Sequence, residues 1–153
     1  MGLPELKTER LILKPVTASD VDVLYTMWTA PDMRRHLWDD MVIPREMVEH
    51  VVESHVTVLE PQGIGFWLVN LGQASIGFCG FRLLDEGSEI ELLYGIDTSH
   101  WGRGYATEAS RAALSYLWGA TKFGRVFART DPPNTASAAV LRRIGMSRVS
   151  TTG

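Results

Sequence analysis

The chain has 153 residues, 45% of them hydrophobic and 22% charged, with a net charge of −3 and a pI near 5.8. That is the length of one ordinary domain, 1–153, able to build a core without disulfides or a metal, and the composition is that of a water-soluble globular protein. A net negative chain lacks the positive field that phosphate neutralisation demands, which argues against free nucleic acid as a partner, and no apolar run is long enough for a membrane span.

A single cysteine, Cys79, leaves no intrachain disulfide and fits a reducing compartment, so the expected location is the cytoplasm. Met1-Gly2-Leu3-Pro4-Glu5 lacks the basic and apolar runs of a secretory signal. Leu6 stands where a myristoylation signal needs Ser or Thr.

In chain order, Thr8-Glu9-Arg10-Leu11-Ile12-Leu13-Lys14-Pro15 reads as a first strand at a sheet edge, stopped by proline. A helix follows, capped by Ser19 or Asp20, with Val21, Leu24, Tyr25 and Trp28 at helical spacing until Pro31. Residues 32–43 show no clean period and read as a loop with a helical turn. From Pro44 to about Leu59 a second helix carries Met47, Val48, Val51, Val52, His55 and Val58, with proline in its first turn.

Three strand-like runs come next, 66–71, 74–83 and 89–96, separated by short glycine-containing turns and forming an antiparallel meander. The period then turns helical from Tyr105 to about Lys122. Arg125 to Thr130 is a further strand, and the intervening helix lets it lie parallel to the run 89–96. A fourth helix spans about Thr135 to Ile144, stopped by Gly145, and Met146-Ser147-Arg148-Val149 starts a last strand.

The stretch Trp101-Gly102-Arg103-Gly104-Tyr105-Ala106 lies between the strand ending near Ile96 and the helix starting near Tyr105. Two glycines there permit positive φ and close approach of a ligand, so successive N–H groups can converge on one anion. The first helical turn adds unpaired N–H donors and the positive end of the helix dipole, and Arg103 adds charge at the rim. The spacing fits neither a P-loop nor the three-glycine dinucleotide fingerprint.

This loop resembles the pyrophosphate loop of the GNAT acetyltransferase superfamily, Gln/Arg-x-x-Gly-x-Gly/Ala, except that Trp101 holds the first position. The resemblance extends over Thr8-Glu9-Arg10-Leu11-Ile12-Leu13, Ile90 to Asp97, Ala106-Thr107-Glu108-Ala109, Asn134-x-x-Ser137 and Leu141-Arg142-Arg143-Ile144-Gly145-Met146. Its order and spacing are similar to the branch that acetylates ribosomal-protein N-termini.

The resemblance implies an α/β (α+β) fold: a mixed, mostly antiparallel sheet, splayed between the third long strand and the parallel strand after it, flanked by about four helices. It implies acetyl-CoA as co-substrate, held by Leu93, Tyr94, Gly95, Ile96, Trp101, Gly102, Arg103, Gly104, Tyr105, Ala106, Thr107, Asn134 and Arg143. The acceptor is expected to be a primary amine, either a protein N-terminus or a small molecule. The family ordinarily continues beyond the strand at Met146. The expectation here is a domain short by its C-terminal strand, with an open sheet edge at 126–130 suited to a second copy, and the alternative function is a catalytically impaired CoA-binding or assembly module.

The resemblance implies Glu91 as the general base, and the chemistry suits it: a carboxylate can take the proton an ammonium must lose before its nitrogen attacks. The competing reading is a solvated strand residue paired with a cross-strand arginine. The resemblance implies Ser137 as the acid for the leaving thiolate, and Asn134 with Ser137 also reads as a plain helix cap. Trp38 is the acceptor-pocket candidate, with Asp39 and Asp40 beside it able to attract a cation. Glu108 reads as a complement to the helix dipole. The four histidines lack metal spacing and no metal is expected. Cys79 reads as a buried filler.

Overall fold

In the computed structural model, residues 3–31, 33, 41–84, 89–121 and 126–127 are described. The chain begins with β1 (Leu6–Lys7) and β2 (Ile12–Pro15), then a 3-10 turn at Ala18–Asp20 and α1 (Val21–Thr29). Next come α2 (Arg45–Ser54), a π turn (His55–Leu59), a 3-10 turn (Glu60–Gln62), and the strands β3 (Phe66–Leu71), β4 (Ala74–Leu84) and β5 (Glu89–Ile96). A 3-10 turn at Thr98–His100 leads to α3 (Tyr105–Ala120) and β6 (Val126–Phe127). The sheet has strand order β1-β2-β3-β4-β5-β6. Every neighbouring pair is antiparallel except β5 and β6, which run parallel through Ile90↔Val126 and Glu91↔Phe127. This is the mixed α/β fold the sequence implied. The fourth helix and last strand fall outside the described residues, as does the sheet edge beyond Phe127.

Two expectations are corrected. The first strand does not run straight from Thr8 to Pro15. Thr8 N–H donates to Leu11 O at 2.9 Å, and the Thr8 hydroxyl accepts Leu11 N–H at 3.0 Å. These local bonds fold Thr8–Leu11 into a hairpin turn, because a threonine hydroxyl beside its own backbone competes with ladder pairing. The strand therefore starts at Ile12, and β1, not β2, is the outer strand. The second helix also stops being α-helical at Ser54, and a wider π turn carries His55 into the core.

The sheet is buried on both faces. On one, Trp67 of β3 packs edge-on against Phe81 of β4, 6.4 Å between centroids, and against Tyr116 of α3 at 5.5 Å. On the other, Trp28 of α1 meets Phe78 of β4 at 5.6 Å, and Val48 and Val52 of α2 are buried. The apolar runs of β3 and β4 are thus covered from both sides, the pattern of an interior strand.

His55 is fully buried, and its Nδ1 accepts the main-chain N–H of Phe66 at 3.0 Å, which leaves the proton on Nε2, 3.1 Å from Glu60 Oε1. Burial pushes its pKa below the ordinary histidine value, against the opposing pull of Glu60. The folded state therefore resists protonation that the unfolded chain accepts below about pH 6.5. Stability is then lost as pH falls below that value, by at most about 1.4 kcal/mol per pH unit for one proton. A steeper fall in Tm between pH 7 and pH 5 is expected for the wild type than for His55→Gln, as read by thermal melts across that range.

Candidate active site

α3 begins where the chain turns sharply out of β5. Gly102 (φ +77°) and Gly104 (φ +82°) both occupy the left-handed region, which other residues enter only with strain. Among the described residues, a Cβ on Gly102 would meet nothing within 4 Å, and one on Gly104 only the Arg10 guanidinium nitrogen Nη2 at 3.4 Å. Among the described residues, the N–H groups of Gly102 and Gly104 make no main-chain hydrogen bond. Gly104 occupies the N-cap of α3 without a side chain to cap it, so the first-turn donors lack a side-chain cap. Arg103 is exposed on the same loop.

Trp101 stands where the related motif carries Gln or Arg. Its ring is half-exposed, and its Nε1–H donates to Ile96 O at 2.6 Å. The indole thus ties the loop back to the last residue of β5. Tyr105 is buried and Ala106 half-buried. Thr107 is buried, and its hydroxyl has no hydrogen-bond partner among the described residues. A buried hydroxyl without a partner is costly in a finished core and marks a place where a ligand can complete the bonding. Thr107, Gly104, Arg10 and Arg111 line an open cavity of about 620 Å³ beside this turn.

On β5 the register sets Arg82 opposite Glu91, Gly80 opposite Leu93 and Phe78 opposite Gly95. Cross-strand partners share a face, and Phe78 touches Trp28 of α1. Glu91, Leu93 and Gly95 therefore lie on the face covered by α1 and α2. Leu92 and Tyr94, opposite Phe81 and Cys79, lie on the α3 face. A Cβ on Gly95 would collide with Met33 Sδ, so the bare backbone there permits close packing. Glu91 is 2% exposed, and its Oε1 accepts Arg82 Nε–H at 2.6 Å. The carboxylate is paired across the strands, as one sequence reading held, but it is buried rather than solvated.

Glu108 does more than face the helix dipole. Its carboxylate accepts the Thr8 hydroxyl, the Arg10 main-chain N–H at 2.9 Å and Arg10 Nε–H at 2.7 Å. Partial burial alone would raise its pKa, yet these bonds outweigh burial and hold it below the ordinary glutamate value. The bond to Glu108 correspondingly raises Arg10. Neither residue stood among the site candidates, because the two are 98 positions apart and no periodicity links them. Their only trace in the sequence is opposite charge within two segments that both belong to the resemblance. Cys79 is buried, and burial pushes its thiol up to about 12.

Trp38, Asn134, Ser137 and Arg143 lie outside the described residues, as do Asp39 and Asp40. Among the described residues, no group of three His, Cys, Asp or Glu side chains is placed to hold a metal ion. Likewise, no described helix is long and apolar enough to cross a membrane.

Similarity to known proteins bears on this geometry. The family described as "Acetyltransferase (GNAT) domain" matches residues 10–147. The chain is 30% identical over 149 residues to the "Uncharacterized N-acetyltransferase p20" of Bacillus licheniformis, covering 94% of this chain and 82% of that one. The crystal structure of an acetyltransferase from Agrobacterium tumefaciens superposes with a TM-score of 0.80 at 26% identity, over 95% of this chain and 84% of that one. The structure of RimL, a ribosomal L7/L12 α-N-protein acetyltransferase in complex with coenzyme A, shares the fold at 19% identity and a TM-score of 0.78, over 93% and 83% of the two chains. With the match running from the hairpin at Arg10 through the glycine loop and on to residue 147, the chain belongs to the GNAT acetyltransferase family.

Proposed function

We propose that this chain, as a single domain over 1–153, binds acetyl-CoA and transfers its acetyl group to a primary amine, a protein N-terminus or a small molecule, in a ternary complex. The observation that carries this reading is the turn at Gly102–Gly104, two glycines at positive φ leading into the uncapped start of α3. Its donors and dipole suit linked phosphates, and the unpartnered Thr107 hydroxyl beside it adds a polar contact. RimL, a structural neighbour, holds coenzyme A. The backbone of Leu93 to Ile96 would lie along the pantetheine arm, with Asn134 and Arg143 completing the cofactor contacts. The cytoplasm is the compartment this reading assumes.

Chemically, the amine nitrogen attacks the thioester carbonyl, a C–N bond forms, the C–S bond breaks, and the thiolate takes a proton. Glu91 would accept the proton the ammonium gives up before attack, directly or through water. Ser137 would supply the one the thiolate takes, regaining a proton from the nitrogen, which sheds its second as the amide forms. Trp38 would contact the acceptor. A second reading has one observation in its favour: Arg82 occupies one oxygen of Glu91, which suits a module that binds CoA without turning over. Calorimetry with CoA, run beside a CoA-release assay over a panel of peptides and amines, separates the two. Transfer to at least one acceptor is the expected result. Tight CoA binding without transfer to any acceptor supports the second reading, and no CoA binding rejects both.

A further inference from the structure

A carboxylate in the first turn of a helix needs no partner to complement the dipole, so a solvated Glu108 would serve that purpose alone. Instead, among the described residues its carboxylate bonds converge on one segment, the Thr8–Leu11 hairpin turn. The consequence runs through Arg10. Its guanidinium carbon lies 4.5 Å over the centroid of the Tyr105 ring, and its Nη2 reaches 3.4 Å from where a Cβ on Gly104 would stand. Tyr105 is the buried first residue of α3, directly after the last glycine of the loop. The hairpin thus grips the loop–helix junction through an ion pair, a main-chain bond, a hydroxyl bond and a stacked cation.

We propose that Glu108 and Arg10 are positioning residues for the phosphate-binding loop, holding the amides of residues 102–105 aimed outward before the nucleotide arrives. The proposal rests on the acetyl-CoA reading above. Pairs as exposed as this one add little to global stability, and Arg10 is 42% exposed. Their effect should therefore appear in placement: an amide cradle binds an anion tightly when its donors are aimed in advance, and loses affinity when ordering must accompany binding.

The test uses the full chain as wild type, Glu108→Gln, Arg10→Lys and, as control, Tyr116→Phe. The control removes the hydrogen bond from Tyr116 to Gly63 O, 2.8 Å long, near the far end of the same helix. For Glu108→Gln, the expected rise is about tenfold in both the CoA Kd and the KM for acetyl-CoA, a change of one decade in affinity. The kcat at saturating acetyl-CoA and the KM for the amine should stay within about twofold, since preorganisation of the nucleotide end bears on neither. Arg10→Lys keeps the charge but loses the flat stack and the Nε donor, so it should behave like Glu108→Gln. Wild-type affinity in that variant would remove Arg10 from the proposal.

Without ligand, amide hydrogen exchange at Glu108, whose N–H donates to Gly104 O at 3.0 Å, should quicken in Glu108→Gln and not in Tyr116→Phe. An unchanged CoA Kd in Glu108→Gln, or an equal loss in Tyr116→Phe, overturns the positioning role while leaving the acetyltransferase reading intact. A wild type that binds no CoA rejects that reading instead, and the exchange measurement then decides the brace alone.

Discussion

Gly104→Glu yields a folded protein that binds CoA at least about 100-fold more weakly than the wild type, a loss of about 2.7 kcal/mol or more. Two effects add. Gly104 sits at φ +82°, where a side chain costs about 1–2 kcal/mol, a sum that a domain stable by roughly 5–15 kcal/mol survives. The larger effect is charge. A carboxylate at the mouth of the anion cradle opposes the phosphates by about 4 kcal/mol per charge pair at 4 Å when the effective dielectric constant is near 20. Among the described residues, the group close to the new side chain is Arg10 Nη2. If the new carboxylate captures it, Arg10 is drawn off Tyr105 and Glu108, which weakens binding further. Gly104→Ala isolates the backbone term and should lose about tenfold or less. Calorimetry and a thermal melt on both variants check this, and a Gly104→Glu protein binding CoA as well as Gly104→Ala would remove the phosphate from the loop.

How much of this was legible in the sequence depends on the range over which each feature is determined. The meander β3–β5 was readable because each strand's own residues set it. Apolar runs such as Phe66–Leu71 are bounded by glycine turns, and burial on both faces needs only that hydrophobicity. The start of α3 was readable for the same reason, since Gly104 and the apolar spacing after it are local. The Thr8–Leu11 turn was missed because Thr8 and Leu11 read as strand formers, and one hydroxyl-to-amide bond outweighed that preference.

The π turn escaped for a different reason. What draws His55 inward is the amide of Phe66 on β3, a partner that helical periodicity does not register. The grip of Glu108 on Arg10 is still less local and appears only when the hairpin is laid against α3. The character of Glu91 fell between these cases. Its pairing with an arginine was one of two sequence readings, yet its burial follows from the face shared with Phe78 and Trp28, which the register alone reveals.

That burial makes Glu91→Gln the sharpest test of mechanism. Gln keeps the shape and can still accept Arg82 Nε–H through its amide oxygen, so the strand pairing and the fold should persist. What it removes is the capacity to take a proton. If Glu91 is the base, kcat falls by about 10²–10⁴-fold, the usual worth of a positioned general base. The CoA Kd should stay unchanged, because the cradle at Gly102–Gly104 lies beyond the far end of β5 from Glu91. If Glu91 serves only to anchor Arg82, kcat stays within a few-fold and the change appears in Tm, as loss of a partly exposed ion pair would give. Steady-state kinetics at saturating acetyl-CoA, read beside a melt, distinguish the outcomes. We expect the first, since a carboxylate needed only to pair an arginine gains nothing from burial, and desolvating it costs stability that a solvated pair would keep.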